Sequence, residues 1–264
     1  MSTLFTGISE LRTVSERGTL NDAAIIAQSG TIAWVGPASE APAADEKVDL
    51  GGRAVLPGWV DSHTHMVFDG DRSAEFEARI SGGSYEAGGI AVTMDATRQA
   101  GTDRLDKLVA DRVAAGRRGG TTTFETKTGY GLNTESEVEA AKVASRHVDD
   151  VTFLGAHLVP PGADAEEYLD EVVGPMLEGV APYVQWIDVF CERGAFNEEQ
   201  SRRVLEAGKK LGLGLRVHGN QLGEGPGVAL AVELGAASVD HVNHLSDEDV
   251  ELLANSDTVA TMLP

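Results

Sequence analysis

The chain is short of cysteine, of positive charge and of long apolar runs, and each shortage removes a class of protein. Cys191 is the only cysteine among 264 residues, so no intrachain disulfide can form and a reducing, cytoplasmic setting is expected. No apolar stretch is long enough to span a bilayer, and the opening MSTLFTGISELR lacks the basic-then-apolar order of a secretory signal. Lysine and arginine total 21 against 42 aspartates and glutamates, a formal net charge of -21. Nucleic acid and anionic membrane both need a basic face, so neither is expected as a partner. No short repeat is visible, which argues against a solenoid. The glycine-rich stretches GGSYEAGGI and GEGPG lack the strand, GxxxxGK[ST], helix order of a phosphate loop and read as loops near a pocket mouth.

What is present is a repeated pattern of apolar runs ending in ionisable residues. The segment AVLPGWVDSHTH reads as a strand with a buried body, Val55 to Val60, and a polar tip at Asp61, His63 and His65. The two-residue spacing of His63 and His65 places both imidazoles on one side of extended backbone. The pattern recurs at GTTTFETK (Glu125, Lys127), DVTFLGAH (His157), VQWIDVFCE (Asp188, Glu192), GLRVHGN (His218) and ASVDHVN (Asp240, His241). Between these runs lie helical periods: TDRLDKLVADRVAAGRR, TESEVEAAKVASRHV, NEEQSRRVLEAGKKLG and GVALAVELG. Strand, polar tip and helix in repetition predict an α/β fold, a (β/α)8-type TIM barrel with its site at the strand ends.

The count falls short of eight. Seven strands follow from Trp59, the last being TVATMLP, and Pro264 completes a strand tip, so a fragment of a longer protein is expected. Residues 1–57 read differently, as short strands in LFTGISELRTV, DAAIIAQSGTIAWVGP and KVDLGGRAVLPG forming a small β layer, with the barrel occupying 58–264. Open sheet edges make self-association into a homo-oligomer an expectation as well.

His218 supplies a third strand-tip imidazole, which with His63 and His65 makes a ligand set for one divalent ion with positions left open. Zinc or iron so held lowers the pKa of bound water from about 15.7 towards about 7. Spacing alone does not choose a carboxylate partner among Asp61, Asp188 and Asp240. Asp188 and Glu192 read equally as outer support for ligand histidines and as barrel-lining salt bridges. Glu125 and Lys127 read as a structural ion pair or outer support, Cys191 as an inert half-buried thiol, and His147 and His244 as solvated surface.

The strings PGWVDSHTHMVFDGDRSAEFEAR, TTTFETKTGYGLNTESE, TFLGAHLVPP, DVFCERGAF, HGNQLGEGPG and SVDHVNHLSDED, in this order, closely resemble the imidazolonepropionase family of the metal-dependent amidohydrolase superfamily. The resemblance covers almost the whole chain. It implies a small-molecule substrate, 4-imidazolone-5-propanoate of histidine breakdown, whose ring amide is hydrolysed to N-formimidoyl-L-glutamate. It implies that His63, His65 and His218 are metal ligands, and that His241 polarises the scissile carbonyl or positions the water. Arg72, Tyr130 and His157 are implied as substrate contacts, and a guanidinium beside a phenol suits a propionate.

Two departures follow from the same comparison. The family's last ligand is an aspartate on an eighth strand beyond Pro264, so these 264 residues alone are expected to bind metal weakly and turn over slowly. Gln221 stands where related deaminases present a proton-shuttling glutamate; a carboxamide binds the ring but cannot shuttle, which favours ring hydrolysis over deamination. The alternatives are an aminohydrolase acting on another ring, or a metal-binding fragment without activity.

Overall fold

The computed structural model describes residues 1–71, 73, 77, 80, 81 and 89–263, and the chain divides into two compact units, Met1–Trp59 and Val60–Pro264. In the first, β1 (Ser2–Arg12), β2 (Thr19–Gln28), β3 (Thr31–Pro37) and β4 (Glu46–Val55) form one sheet in the order β3-β2-β1-β4. The expected single run DAAIIAQSGTIAWVGP folds back on itself at Ser29 and Gly30. Both have positive φ (51° and 78°), the conformation of a two-residue hairpin turn matched to strand twist. β1 pairs antiparallel with β2 and parallel with β4, with an irregularity between Phe5 and Ile8. There Gly7 has φ 65°, and a Cβ on it would lie 2.1 Å from Asp49 Oδ1, so only glycine fits. Ile8, Leu11 and Ala23 form this unit's own small core.

The second unit is a parallel sheet of seven strands in strict chain order: β5 (Trp59–Asp61), β6 (Thr121–Lys127), β7 (Asp150–Ala156), β8 (Trp186–Cys191), β9 (Gly214–Gly219), β10 (Ser238–His241) and β11 (Val259–Met262). The described helices are α1 (Gly89–Ala100), α2 (Thr102–Arg118), α3 (Thr134–Ala144), α4 (Ala165–Glu171), α5 (Leu177–Val180), α6 (Glu198–Lys210), α7 (Gly227–Leu234) and α8 (Asp247–Ala254). This is the expected α/β barrel architecture, with strands 5 to 11 at the seven places read from the sequence.

Helix α2 shows why these segments fold as they do. Leu105, Val109 and Val113 recur every four residues and are buried, contributing about 1.5–3 kcal/mol each. Helix α6 buries Ser201, Val204, Leu205 and Gly208 and begins with a reciprocal cap between Asn197 and Gln200. A Cβ on Gly208 would fall 2.3 Å from Ile187 Cγ2, so the helix lies directly against β8. Helix α3 stops at Ala144 instead of running to Val148. The stretch 165–180, not read as helical in the sequence, is helix broken at Val172–Met176, where Gly174 departs from helical φ/ψ and Pro175 lacks an amide hydrogen.

One expectation is corrected. Val55 to Val60 is not a buried strand: Val55 ends β4, Pro57 and Gly58 interrupt pairing, and β5 is three residues long. Trp59 and Val60 are 60% and 67% exposed because β5 lies at the edge of the described sheet. His63 and His65 follow the strand and are not part of it.

Candidate metal centre and active site

The strand ends gather the histidines. His63 and His65 lie just past β5, His157 just past β7, His218 is the fifth residue of β9 and His241 ends β10. One ring nitrogen each from His63, His65 and His218 lies within 4.8 Å of the others, so three side chains drawn from positions 63 to 218 share one small volume. His65 Nε2 and His218 Nε2 are 3.3 Å apart. Burial, then the neighbouring His218 and His157, keeps the His65 ring far below the usual imidazole range, and burial also lowers His63 despite its bond to Asp240. Both are thus held neutral, the form that binds a metal.

Two aspartates stand behind this triad. His63 Nδ1 is 2.7 Å from Asp240 Oδ2, and His218 Nδ1 is 2.9 Å from Asp188 Oδ2, the second contact being close but poorly aligned for a straight hydrogen bond. An acceptor at Nδ1 leaves Nε2 free for a ligand role. The donor set therefore fits a metal ion: three nitrogens converge, two have acidic partners on the far ring atom, and two ring nitrogens face each other with only a small gap between. Asp188, His218 and Asp240 form a second grouping within the same 4.8 Å limit, so a carboxylate is also within reach.

Below the aspartates, alternate residues of neighbouring strands point inward and are charged. Lys127 is fully buried, with Nζ 2.9 Å from Glu125 Oε1, 3.3 Å from Asp188 Oδ2 and 3.5 Å from Asp240 Oδ2. Arg216 adds a contact of 2.9 Å to Glu125 Oε1 and stacks on Trp186. Burial favours the neutral forms, yet the three carboxylates raise the Lys127 ammonium above its usual value, and His218 with Lys127 drives Asp188 far below the carboxylate range. Asp240 is brought down to about 2, burial opposing and His63 and Lys127 prevailing.

On the solvent side, His241 stands 5.2 Å from His63 and 5.1 Å from His218, ring centre to ring centre. Burial and those two rings push its pKa down to about 3. Its backbone is left-handed, φ 80°, as is that of Val242 at φ 44°, a strained turn in non-glycine residues of the kind concentrated at functional sites. His157 Nδ1 is 2.8 Å from the Gly129 carbonyl, which fixes the proton on that nitrogen. Its ring stacks with His65 at 5.7 Å and meets Tyr130 at 5.3 Å. Tyr130 lines a cavity of about 550 Å³ with Phe68 and Arg112. Gln221 is half-buried, and its backbone N–H donates to Glu192 Oε1. Arg72 lies outside the described residues, as does most of GGSYEAGGI.

Sequence reading missed Glu137. Its carboxylate, fully buried on α3, accepts from the amides of Gly129 (2.9 Å), Gly131 (2.7 Å) and Leu132 (2.9 Å) and so shapes the turn that carries Tyr130. Arg98 holds the same turn from the other side, donating to the Gly131 and Leu132 carbonyls. An acidic residue in the first turn of a helix is the only trace of this in the sequence, and that is a common place for a solvated glutamate. Cys191 is buried, more so than the half-buried thiol expected, and burial raises its pKa. His244 is exposed, whereas His147 is partly covered and contacts Asp106 at 3.0 Å.

No family model matches the chain. Among solved structures it superposes on a Xaa-Pro dipeptidase with a TM-score of 0.67 at 16% identity, covering 98% of this chain and 66% of that one. It superposes on a guanine deaminase from C. acetobutylicum with a TM-score of 0.64 at 14% identity, covering 100% and 68%. An amidohydrolase gives a TM-score of 0.67 at 17% identity, covering 98% and 65%. At these identities the likeness shows the fold, a parallel α/β barrel. Sequence relatives are nearer: the imidazolonepropionase of Arthrobacter sp. (strain FB24) is 62% identical over 275 residues, covering all of this chain and 69% of that protein. That of Saccharopolyspora erythraea is 63% identical over 264 residues, covering 100% and 68%. The chain belongs to the imidazolonepropionase family, and it spans about two thirds of the length of the relatives it matches.

Proposed function

We propose that the site hydrolyses the ring amide of 4-imidazolone-5-propanoate to N-formimidoyl-L-glutamate, with one zinc or iron ion held by His63, His65 and His218. The observation that carries this reading is the convergence of three ring nitrogens within 4.8 Å at the strand ends of a chain with this family's sequence. Bound there, the ion supplies Lewis acidity and makes hydroxide available from water near neutral pH.

The protein's own groups do the rest by position. His241, neutral across the working range, offers one N–H and one lone pair beside the ligand histidines, and orients the scissile carbonyl and the attacking water. Gln221 donates to and accepts from the imidazolone ring, and as a carboxamide it carries no proton between substrate atoms. His157, its ring oriented by the Gly129 carbonyl at Nδ1, contacts the substrate. Tyr130, with Arg72 assigned on the sequence resemblance alone, receives the propionate, a pairing worth more than an ordinary hydrogen bond because both partners in the Arg contact are charged.

The discriminating experiment supplies the substrate to metal-loaded protein and measures formimidoylglutamate and ammonia together. Formimidoylglutamate without ammonia is expected, with the rate lost on chelation and restored by zinc or iron. Stoichiometric ammonia release would place the protein among ring aminohydrolases instead.

A further inference from the structure

Strand alternation puts Glu125 and Lys127 on one inward face of β6, and the registers of β8, β9 and β10 bring Asp188, His218 and Asp240 beside them. Two oxygens in this cluster each serve two partners. Asp188 Oδ2 is 2.9 Å from His218 Nδ1 and 3.3 Å from Lys127 Nζ; Asp240 Oδ2 is 2.7 Å from His63 Nδ1 and 3.5 Å from the same Nζ. One buried ammonium thus touches both of the atoms that orient imidazoles of the triad. We infer that Lys127 is a positioning residue of the metal centre, holding Asp188 and Asp240 so that His63 and His218 aim their Nε2 atoms at one point.

The same contacts exclude a different use of this lysine. A carboxylated lysine bridging two metals would be an anion, and at this place it would face Glu125, Asp188 and Asp240 in a site closed to water. As an ammonium, Lys127 separates two aspartates that would otherwise repel each other across the floor of the barrel. Glu125 does not depend on Lys127 alone, since Arg216 Nη1 lies 2.9 Å from its Oε1 and Thr152 donates to it. The inference rests on the reading of His63, His65 and His218 as ligands.

Zinc affinity, measured by competition with a chromogenic chelator, tests it, because here Coulomb attraction and positioning predict opposite signs. Removing a cation near the site should tighten binding of another cation if charge alone matters. If Lys127 positions the aspartates, Lys127→Met weakens zinc binding by about 10–100-fold, the usual cost of disturbing a ligand's outer partner. Glu125 also accepts from the Thr64 amide between His63 and His65, so Glu125→Gln alone is the control: a loss of zinc affinity in it as large as in Lys127→Met overturns the inference. The double variant Glu125→Gln/Lys127→Met removes one charge of each sign, so it keeps the net charge and folds more readily than the single lysine variant. It is expected to melt cooperatively and to show the same loss of zinc affinity. Equal or tighter zinc binding in either lysine variant overturns the inference. Failure of the unsubstituted protein to take up zinc would instead overturn the ligand reading itself, and this inference with it.

Discussion

His63 Nδ1 lies 2.7 Å from Asp240 Oδ2, joining side chains 177 residues apart in sequence, with less than a twentieth of either exposed. The bond fixes which nitrogen of His63 carries the proton and turns the other towards His65 and His218. Replacing Asp240 by asparagine keeps the shape and removes the charge. Asp240→Asn is expected to weaken metal binding by about 10–100-fold with the fold retained, as read by chelator competition and a melting curve. Unchanged affinity would mean that His63 needs no carboxylate behind it.

The turn carrying Tyr130 depends on one buried anion. Burial raises the Glu137 carboxyl above its usual range, against the downward pull of Thr128 and the amides of Leu132, Gly131 and Gly129. Glu137→Gln presents an amide N–H to backbone N–H groups and leaves at least one of them unpaired. A loss of about 1–3 kcal/mol is expected, seen as a lower denaturant midpoint at constant slope.

Tyr130→Phe removes a single hydroxyl from the proposed propionate receptor. A KM increase of about 2–12-fold is expected, corresponding to one net hydrogen bond of 0.5–1.5 kcal/mol. The test is a pair of substrates: with an imidazolone lacking the propionate, variant and wild type should have the same KM. A tyrosine that served the metal instead would affect both substrates alike.

Cys191 is 1% exposed, and burial raises its thiol pKa, with the acidic neighbours Glu192 and Glu198 adding to the effect and Ser201 opposing it. The thiolate is the reactive form, so native protein should resist iodoacetamide at mildly alkaline pH and take up one equivalent after unfolding. Rapid labelling of the native state, followed by mass spectrometry, would contradict its placement in the core.

The seven barrel strands and several of the helices were legible because their signals are local. A run such as VTFLGA followed by a polar tip needs only its own neighbours to be recognised, and the four-residue recurrence of Leu105, Val109 and Val113 needs only one helix. The errors arose where local pattern and tertiary position parted. Val55 to Val60 has the apolar content of a buried strand, but Pro57 and Gly58 split it and the edge position of β5 leaves Trp59 and Val60 in water. In residues 165–180 the irregular turn at Gly174 and Pro175 breaks the helical period, so two short helices read as none.

The same division runs through the site. Sequence by itself determined the chemistry on offer: the strand-tip histidines, the short spacing of His63 and His65, the carboxamide at Gln221, and the family whose ordered motifs these residues belong to. It also left Asp188 open between two readings, and the fold brings one of its oxygens to His218 and Lys127 together. Only the tertiary structure decided that Asp240 would hold His63, that Lys127 would lie beneath two aspartates, and that Glu137 would gather three amides under Tyr130. Periodicity is set by adjacent residues, whereas the partner of a buried charge is set by strand order and register, which bring together side chains that the chain itself keeps far apart.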